Sequence, residues 1–469
     1  MATAKTLEQL IASQPSALHM LRNARLGPNV YPGVPPEFTN WRDEQAAWQE
    51  TCVVFDLSYH MVDLTLKGPD ALKLLRYLGY NSFEGFRVNQ AKQFAPCSHE
   101  GYIIGDVILL CLAKETFSLV GRAPAINWVR YHAEKGGYDV SCQVDERSAV
   151  RKDPGRRKDY RLQIQGPNAM RTMEKVLGAP PPKVKFFHMK TLRIAGKRVR
   201  ALRHGMAGQP GFELIGPWRD KQAVVDALVE AGQEFGLRRV GGRAYSTNTL
   251  DSGWIPSPLP AIYSGEGMRE YREWLPADCY EASASIGGSY LSDRVEDYYF
   301  TPWDLSYGGF VKLDHEFIGR AALERMAKNP HRTKVTLAIE TEDVLRAIAS
   351  QYEPGTRARF IEYPSAVYAM HPYDAVHSAG RNVGVSTWIG YSSNARKMLS
   401  LAVLDNDFAQ PGTPVTLIWG EEGGGTAKPI VERHRQVEFR ATVSPVPYSE
   451  VARKSYADGT GWRAAQKED

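Results

Sequence analysis

The chain has 469 residues, 43% of them hydrophobic, and 58 basic against 53 acidic side chains for a net charge of +5. That length exceeds one ordinary core and predicts two or three domains, while the small charge excess argues against a nucleic-acid groove and leaves room for anionic small substrates. Five scattered cysteines without a C-x-x-C pair argue against a disulfide framework or a structural zinc, and no run of eighteen apolar residues or basic-led leader is seen, so a soluble cytoplasmic protein with free thiols is expected.

Along the first half a short unit recurs: LTLKGPDALKLL from Leu64, FSLVGRAPAINWV from Phe117, LQIQGPNAMRTM from Leu162 and FELIGPWRDKQAVV from Phe212. Period-two alternation predicts a strand in each, followed by a turn and a helix whose first turn carries the proline, where the missing N–H costs nothing. Four such units predict an α+β protein with two split β-α-β layers side by side, and a cleft between them suits a flat heterocycle and an anion. The polar stretch from Asp145 to Lys158 reads as a linker between the halves. From Thr247 to Tyr263 three prolines, Pro256, Pro258 and Pro260, predict a long ordered loop. After about residue 330 the pattern changes to the short strands VTLAI, LSLAVL, TPVTLIW and QVEFRATVS, with GEEGGG as a turn between two of them, which predicts a small antiparallel barrel or jelly roll.

Several chemistries leave traces that this chain lacks. Cys97 and His99 form half of a Rieske-type pair without the second half, and there is no G-x-x-x-x-G-K-[ST], no G-x-G-x-x-G opening a helix after a strand, and no H-E-x-x-H. The eleven histidines show no ligand spacing, so no metal site is expected.

Four segments in order resemble the folate-dependent aminomethyltransferase superfamily, the glycine-cleavage T-protein and its relatives. They are FDLSYHMVDL from Phe55, LQIQGPNAM from Leu162, RHGMAGQPGFEL from Arg203 and DLSYGGFVKLDHEFIGRAAL from Asp304. The resemblance implies a T-protein fold: a first folate-cleft domain from 1–62 and 152–238, a second from 63–151 and 239–300, and a C-terminal β-barrel domain over 301–469. It also implies tetrahydrofolate as co-substrate.

The departures from the aminomethyl pattern narrow the reading. The family's paired aspartates become GYIIGDVILL, with Gly105 in place of the first carboxylate and Asp106 retained, so the acid that serves amine chemistry is gone. Arg122 replaces a neutral Asn and suggests a substrate with its own negative charge. Tyr245 and Trp254 appear in AYSTNTLDSGW. Together with Tyr31 in GPNVYPGVPPEFTNW, these features are similar to the tetrahydrofolate-dependent aromatic O-demethylases of lignin catabolism. That resemblance implies transfer of a methyl group from a methoxybenzoate (syringate first, then vanillate or 3-O-methylgallate) to N5 of tetrahydrofolate.

An aryl ether resists cleavage because phenoxide is a poor leaving group, so the site must position two reactants and protonate one oxygen. A guanidinium can fork onto a carboxylate, which makes Arg122 the expected substrate anchor with Tyr31 beside it. A tyrosine hydroxyl, with a pKa of about 10, is matched to a departing phenol, which makes Tyr245 the expected general acid. His60 is expected at the ether or phenolic oxygen. Glu213 is expected to accept hydrogen bonds from the pterin, with Gln165 reading other edge atoms and Trp254 walling the ring. The competing readings are a folate-dependent aminomethyl or dimethylglycine-type enzyme, against which Gly105 speaks, and a non-catalytic folate-binding protein on the same scaffold.

Overall fold

The structure, a computed structural model, describes residues 4–28, 31–150, 156–256, 258–425 and 428–456. Two sheets and a barrel carry the architecture. The first sheet has the order β11 (Leu237–Arg239), β1 (Cys52–Asp56), β7 (Asp159–Gln165), β10 (Gly211–Pro217), β9 (Lys197–Arg203) and β8 (Met189–Ile194), antiparallel except for the β1/β11 pair. The second, wholly antiparallel, runs β3 (Ala91–Phe94), β4 (Val107–Ala113), β5 (Thr116–Gly121), β2 (Val62–Lys67) and β6 (Ser141–Asp145).

Strand alternation sorts each sheet into two faces. Leu162, Ile164, Phe212 and Leu214 of the first sheet pack under the helices Ala169–Leu177 and Lys221–Gly232, and Leu64, Leu66 and Leu119 of the second under Ala71–Leu78 and Ala123–Lys135. The opposite faces meet through Leu110, Val120, Met189 and Leu202, leaving polar residues of both sheets along a shared cleft.

All four repeated units form a strand followed by a helix. The proline differs in position: Pro124 lies in the first turn of its helix, whereas Pro69 and Pro167 precede the N-cap residues Asp70 and Asn168. Those two prolines therefore shape the turn, with Gly68 and Gly166 at φ 143° and 127° abutting backbone of a neighbouring segment so closely that a Cβ would collide. Part of the expected linker, residues 151–155, lies outside the described residues.

A two-residue parallel bridge of β12 (Ile286–Gly287) with β14 (His371–Pro372) leads into the third layer. This is a closed barrel in the order β13 (Arg332–Ile339), β17 (Lys397–Asp405), β16 (Arg381–Ser392), β15 (Asp374–Ser378), β18 (Pro414–Trp419) and β19 (Val437–Ser444). Each of the four predicted short strands lies in it. GEEGGG opens the long connection 420–436 rather than a tight turn.

The proline-rich loop starts later than expected. Residues Gly242–Ser252 form a helix, and Gly253 at φ 65° ends it, so the prolines act only on the segment beyond that glycine. This helix is clamped to the helix Trp41–Glu50 and to the barrel: the buried Gln45 amide donates to Asp251 (3.1 Å) and to Ser392 (3.3 Å). Burial raises the Asp251 carboxyl to about 6. All five cysteines are free thiols. No helix among the described residues is long and apolar enough to cross a membrane.

Candidate functional site

Three segments that are far apart in sequence bring aromatic side chains together over one end of the cleft. Phe55, on the cleft-facing side of β1, is fully buried and stacks on Tyr245 from the helix Gly242–Ser252, with centroids 3.8 Å apart and planes 5° apart. Tyr31 stands edge-on to both Tyr245 (5.1 Å) and His60 (5.1 Å), and His60 is edge-on to Tyr245 at 5.6 Å. The structure thus unites Tyr31, His60 and Tyr245.

Burial raises the Tyr245 hydroxyl well above its ordinary value, helped by Tyr31 and the Glu213 carboxylate and opposed by Arg122. It therefore holds its proton. Burial also lowers His60 to about 3, with the positive charges of Arg122, Arg157 and Arg161 acting in the same direction against Glu213. The imidazole is neutral, and its buried Nδ1 has no hydrogen-bond partner among the described residues. A neutral ring with an unsatisfied nitrogen positions a ligand better than it supplies a proton.

Arg122 follows β5. Its backbone is still extended (φ −79°, ψ 153°), so the alternation that turns Ser118 and Val120 to the cleft carries Arg122 there too. Its guanidinium donates to the Tyr280 hydroxyl at 3.3 Å, a long contact that leaves most of its donor capacity free. It also lines a small cavity with Gly105, Asp106 and Tyr280. A Cβ at Gly105 would sit 3.5 Å from that of Ala125, an ordinary contact, so packing within the protein does not require the glycine.

Across the first sheet Phe55, Gln163 and Glu213 are register partners in one row. Glu213 is held from both sides, by Arg161 Nη1 at 2.6 Å and His204 Nδ1 at 2.6 Å. Burial works against its charge, but the His204 imidazole and the Arg161 guanidinium outweigh burial and bring it down to about 2. The carboxylate is thus fixed in charge and orientation, with lone pairs to spare for a ligand.

Comparison with known proteins places the chain in a family. The GCVT N-terminal domain family matches residues 17–257, which is half of the chain. This chain belongs to that family. Among its relatives, the chain is 56% identical over 460 residues to syringate O-demethylase of Sphingobium sp. (strain NBRC 103272 / SYK-6), covering 98% of this chain and 99% of that protein. It is 30% identical over 446 residues to sesamin methylene transferase of Sinomonas sp. (strain No.22), covering 91% and 92%. Among solved structures, the glycine cleavage system aminomethyltransferase T of Bartonella henselae shares the fold with a TM-score of 0.60 at 18% identity, over 91% of this chain and 95% of that one.

On this GCVT-family frame, two of the expected folate contacts are placed differently from the sequence reading. Gln165 is buried, but its amide nitrogen donates to the carbonyls of Met206 and Gln209 (2.9 Å to the latter), and its oxygen accepts from Gln163 at 2.9 Å. It braces the 204–210 loop. Gln163, fully buried in the same row as Glu213, keeps an unpartnered Oε1. Strand parity already put the two glutamines on one face; which amide was spoken for depended on a loop forty residues later. Trp254 is half-buried, packs against the core of the second sheet and lies beside Asp106 and Tyr307. Asp106 accepts from Gln93 at 2.7 Å, and Lys334 of β13 is lowered to about 8 by burial, with Asp106 opposing. Burial raises Asp106, and the Gln93 and Trp254 side chains together with Arg122 and Lys334 oppose the rise. Neither Lys334 nor Phe55 stood out in the sequence, since each sits in a strand that reads as core.

Proposed function

We propose that this GCVT-family chain is a tetrahydrofolate-dependent O-demethylase. It moves the methyl group of a methoxybenzoate, syringate first, to N5 of tetrahydrofolate, and releases a phenol and 5-methyltetrahydrofolate. The observation that carries the reading is the convergence of a guanidinium with open donor capacity, Arg122, and a proton-holding phenol, Tyr245, on one end of the cleft that Glu213 floors. The name of the relative that is 56% identical supports the same substrate class.

The residues present fit a reduced pterin. The Glu213 carboxylate can accept its ring N–H and amino hydrogens, and the orphaned Gln163 Oε1 offers a further acceptor in the same row. Bound there, tetrahydrofolate supplies the nucleophilic nitrogen. The protein's first task is to hold the methoxy carbon against it, and positioning of two reactants contributes on the order of 7–11 kcal/mol. Arg122, with Tyr31 at the same end, grips the benzoate carboxylate. His60 Nδ1 meets a ring oxygen. Tyr245 donates its proton to the ether oxygen as the carbon–oxygen bond breaks, and its oxygen then regains the proton that methylation displaces from N5. Burial raises the cost of charge on any phenol, so substrate and Tyr245 rise together and proton transfer between them stays close to balanced.

Incubation with tetrahydrofolate and a panel of methoxybenzoates tests this reading. Equimolar phenol and methylated folate are expected, and the absence of both products would refute it.

A further inference from the structure

Gly121 of β5 pairs with Val107, whose side chain a Cβ would meet at 2.5 Å, so that glycine has a reason within the protein. Gly105 has none of this kind: its φ lies outside the left-handed region, and a Cβ there would only touch Ala125 at 3.5 Å. The space it leaves open belongs to a cavity of about 20 Å³. Roughly 10–15 Å³ suffices for one water, so this cavity takes one small group and no more. Ile104, Pro124, Ala125, Pro256 and Pro258 give it apolar walls. Among its polar neighbours Asp106 is taken up by the Gln93 amide at 2.7 Å, and Arg122 bonds Tyr280 at one side. A recess of this character suits a methyl-bearing substituent better than a water, which needs several polar partners.

The cavity belongs to the second sheet and the acid to the first. Gly105 leads into β4 and Arg122 follows β5, whereas Tyr245 stacks on Phe55 of β1. The Arg122 charge acts on Tyr31, His60 and Tyr245 alike, so this guanidinium borders both the cavity and the aromatic end. A benzoate held by its carboxylate on Arg122 has two meta positions, one on each side of the ring's long axis. When one presents its methoxy carbon on the Tyr245 side, the other points to the opposite edge of the ring, toward the second sheet.

We propose that Gly105 sets the choice of substrate: the space left by its missing side chain receives the second, non-reacting methoxy group of a benzoate methoxylated at both meta positions. The proposal rests on the O-demethylase reading above and adds to it the residue that discriminates among methoxybenzoates.

Methyl transfer to tetrahydrofolate from 4-hydroxy-3-methoxybenzoates that carry hydrogen, hydroxyl, methoxy or ethoxy at the other meta position, compared as kcat/KM on the full chain, tests it. One added carbon in an apolar pocket changes kcat/KM by about 10- to 200-fold, so the wild type is expected to prefer methoxy to hydrogen by at least about 10-fold. Activity is expected to fall again at ethoxy, which the cavity cannot hold. Gly105→Ala and Gly105→Val fill the cavity in two steps and are expected first to reduce and then to abolish the preference for methoxy over hydrogen. The added methyl of Gly105→Ala makes only an ordinary contact inside the protein, so that variant folds. A wild-type profile that does not peak at methoxy, or a preference that survives in both variants, would overturn the role of Gly105 and leave the O-demethylase reading standing. No methyl transfer from any of these benzoates would overturn both.

Discussion

The ring of Tyr245 lies flat on that of Phe55, 5° from parallel at 3.8 Å, so the hydroxyl is aimed by a fully buried neighbour and cannot swing freely. General-acid catalysis contributes about 10²–10⁴-fold. Tyr245→Phe keeps the stack and removes the proton, so it is expected to lower kcat by about that factor with folate affinity unchanged. Phe55→Leu keeps the proton and loosens its aim, and is expected to lower kcat less. Steady-state kinetics beside calorimetric folate binding check both; unchanged turnover in Tyr245→Phe would remove its role as the acid.

Arg122 separates substrate from folate binding. Its hydrogen bond within the protein is a long one to Tyr280, so truncation leaves little behind that is unsatisfied. A charged hydrogen bond contributes roughly 1.5–3 kcal/mol, and Arg122→Ala is expected to raise KM for benzoates about 10- to 100-fold with little change in folate affinity. Arg122→Lys retains the charge without the fork and should recover only part of the loss. Demethylation of methoxyphenols that lack the carboxylate should be insensitive to either change. An equal loss of benzoate and folate binding would count against the anchor.

His60 makes a prediction about stability. Its native value of about 3 lies below the ordinary 6.5, so between those limits the unfolded chain takes up a proton that the folded chain refuses. Stability must then fall as pH falls through that window. His132, half-buried and lowered to about 4 by burial, acts in the same direction, so the effect is isolated by difference. The melting temperature of the wild type is expected to drop more steeply from pH 7 to pH 5 than that of His60→Asn. Parallel curves would mean that His60 is protonated in the native state.

Alternation and Gly-Pro turns made the strand and helix of each repeated unit legible, because those signals are local: a strand face, a turn and a proline-tolerant start. The barrel was legible in outline through four short apolar strands, but Asp374–Ser378 and Arg381–Ser392 were not singled out, since Gly384, Gly390 and several serines dilute their pattern. The helix carrying Tyr245 was missed in part because three prolines dominate the segment, whereas the chain stops the helix at Gly253 just before them. At the site, resemblance pointed to Tyr31, His60, Arg122, Tyr245 and Glu213. The partners that set their charge and aim, Phe55, Arg161 and His204, depend on pairing across strands, which no single stretch of sequence contains.

The two neighbouring glutamines of β7 make opposite predictions. Gln165 satisfies the carbonyls of Met206 and Gln209, and its removal leaves buried acceptors unpaired at about 1–3 kcal/mol each. Gln165→Ala is therefore expected to lower the melting temperature by several degrees and to weaken folate binding through the loosened 204–210 loop. Among the described residues Gln163 has its Oε1 without a partner beside Glu213 and donates to Gln165. Gln163→Glu places a second carboxylate next to Glu213 and is expected to weaken folate binding at pH 8, where both are ionised, more than at pH 6. Gln163→Ala should cost folate affinity more than stability. Thermal unfolding and folate titration on the same preparations decide the matter: if Gln163→Ala destabilises the chain but leaves folate affinity intact, the open acceptor serves the fold and the pterin is read by other groups.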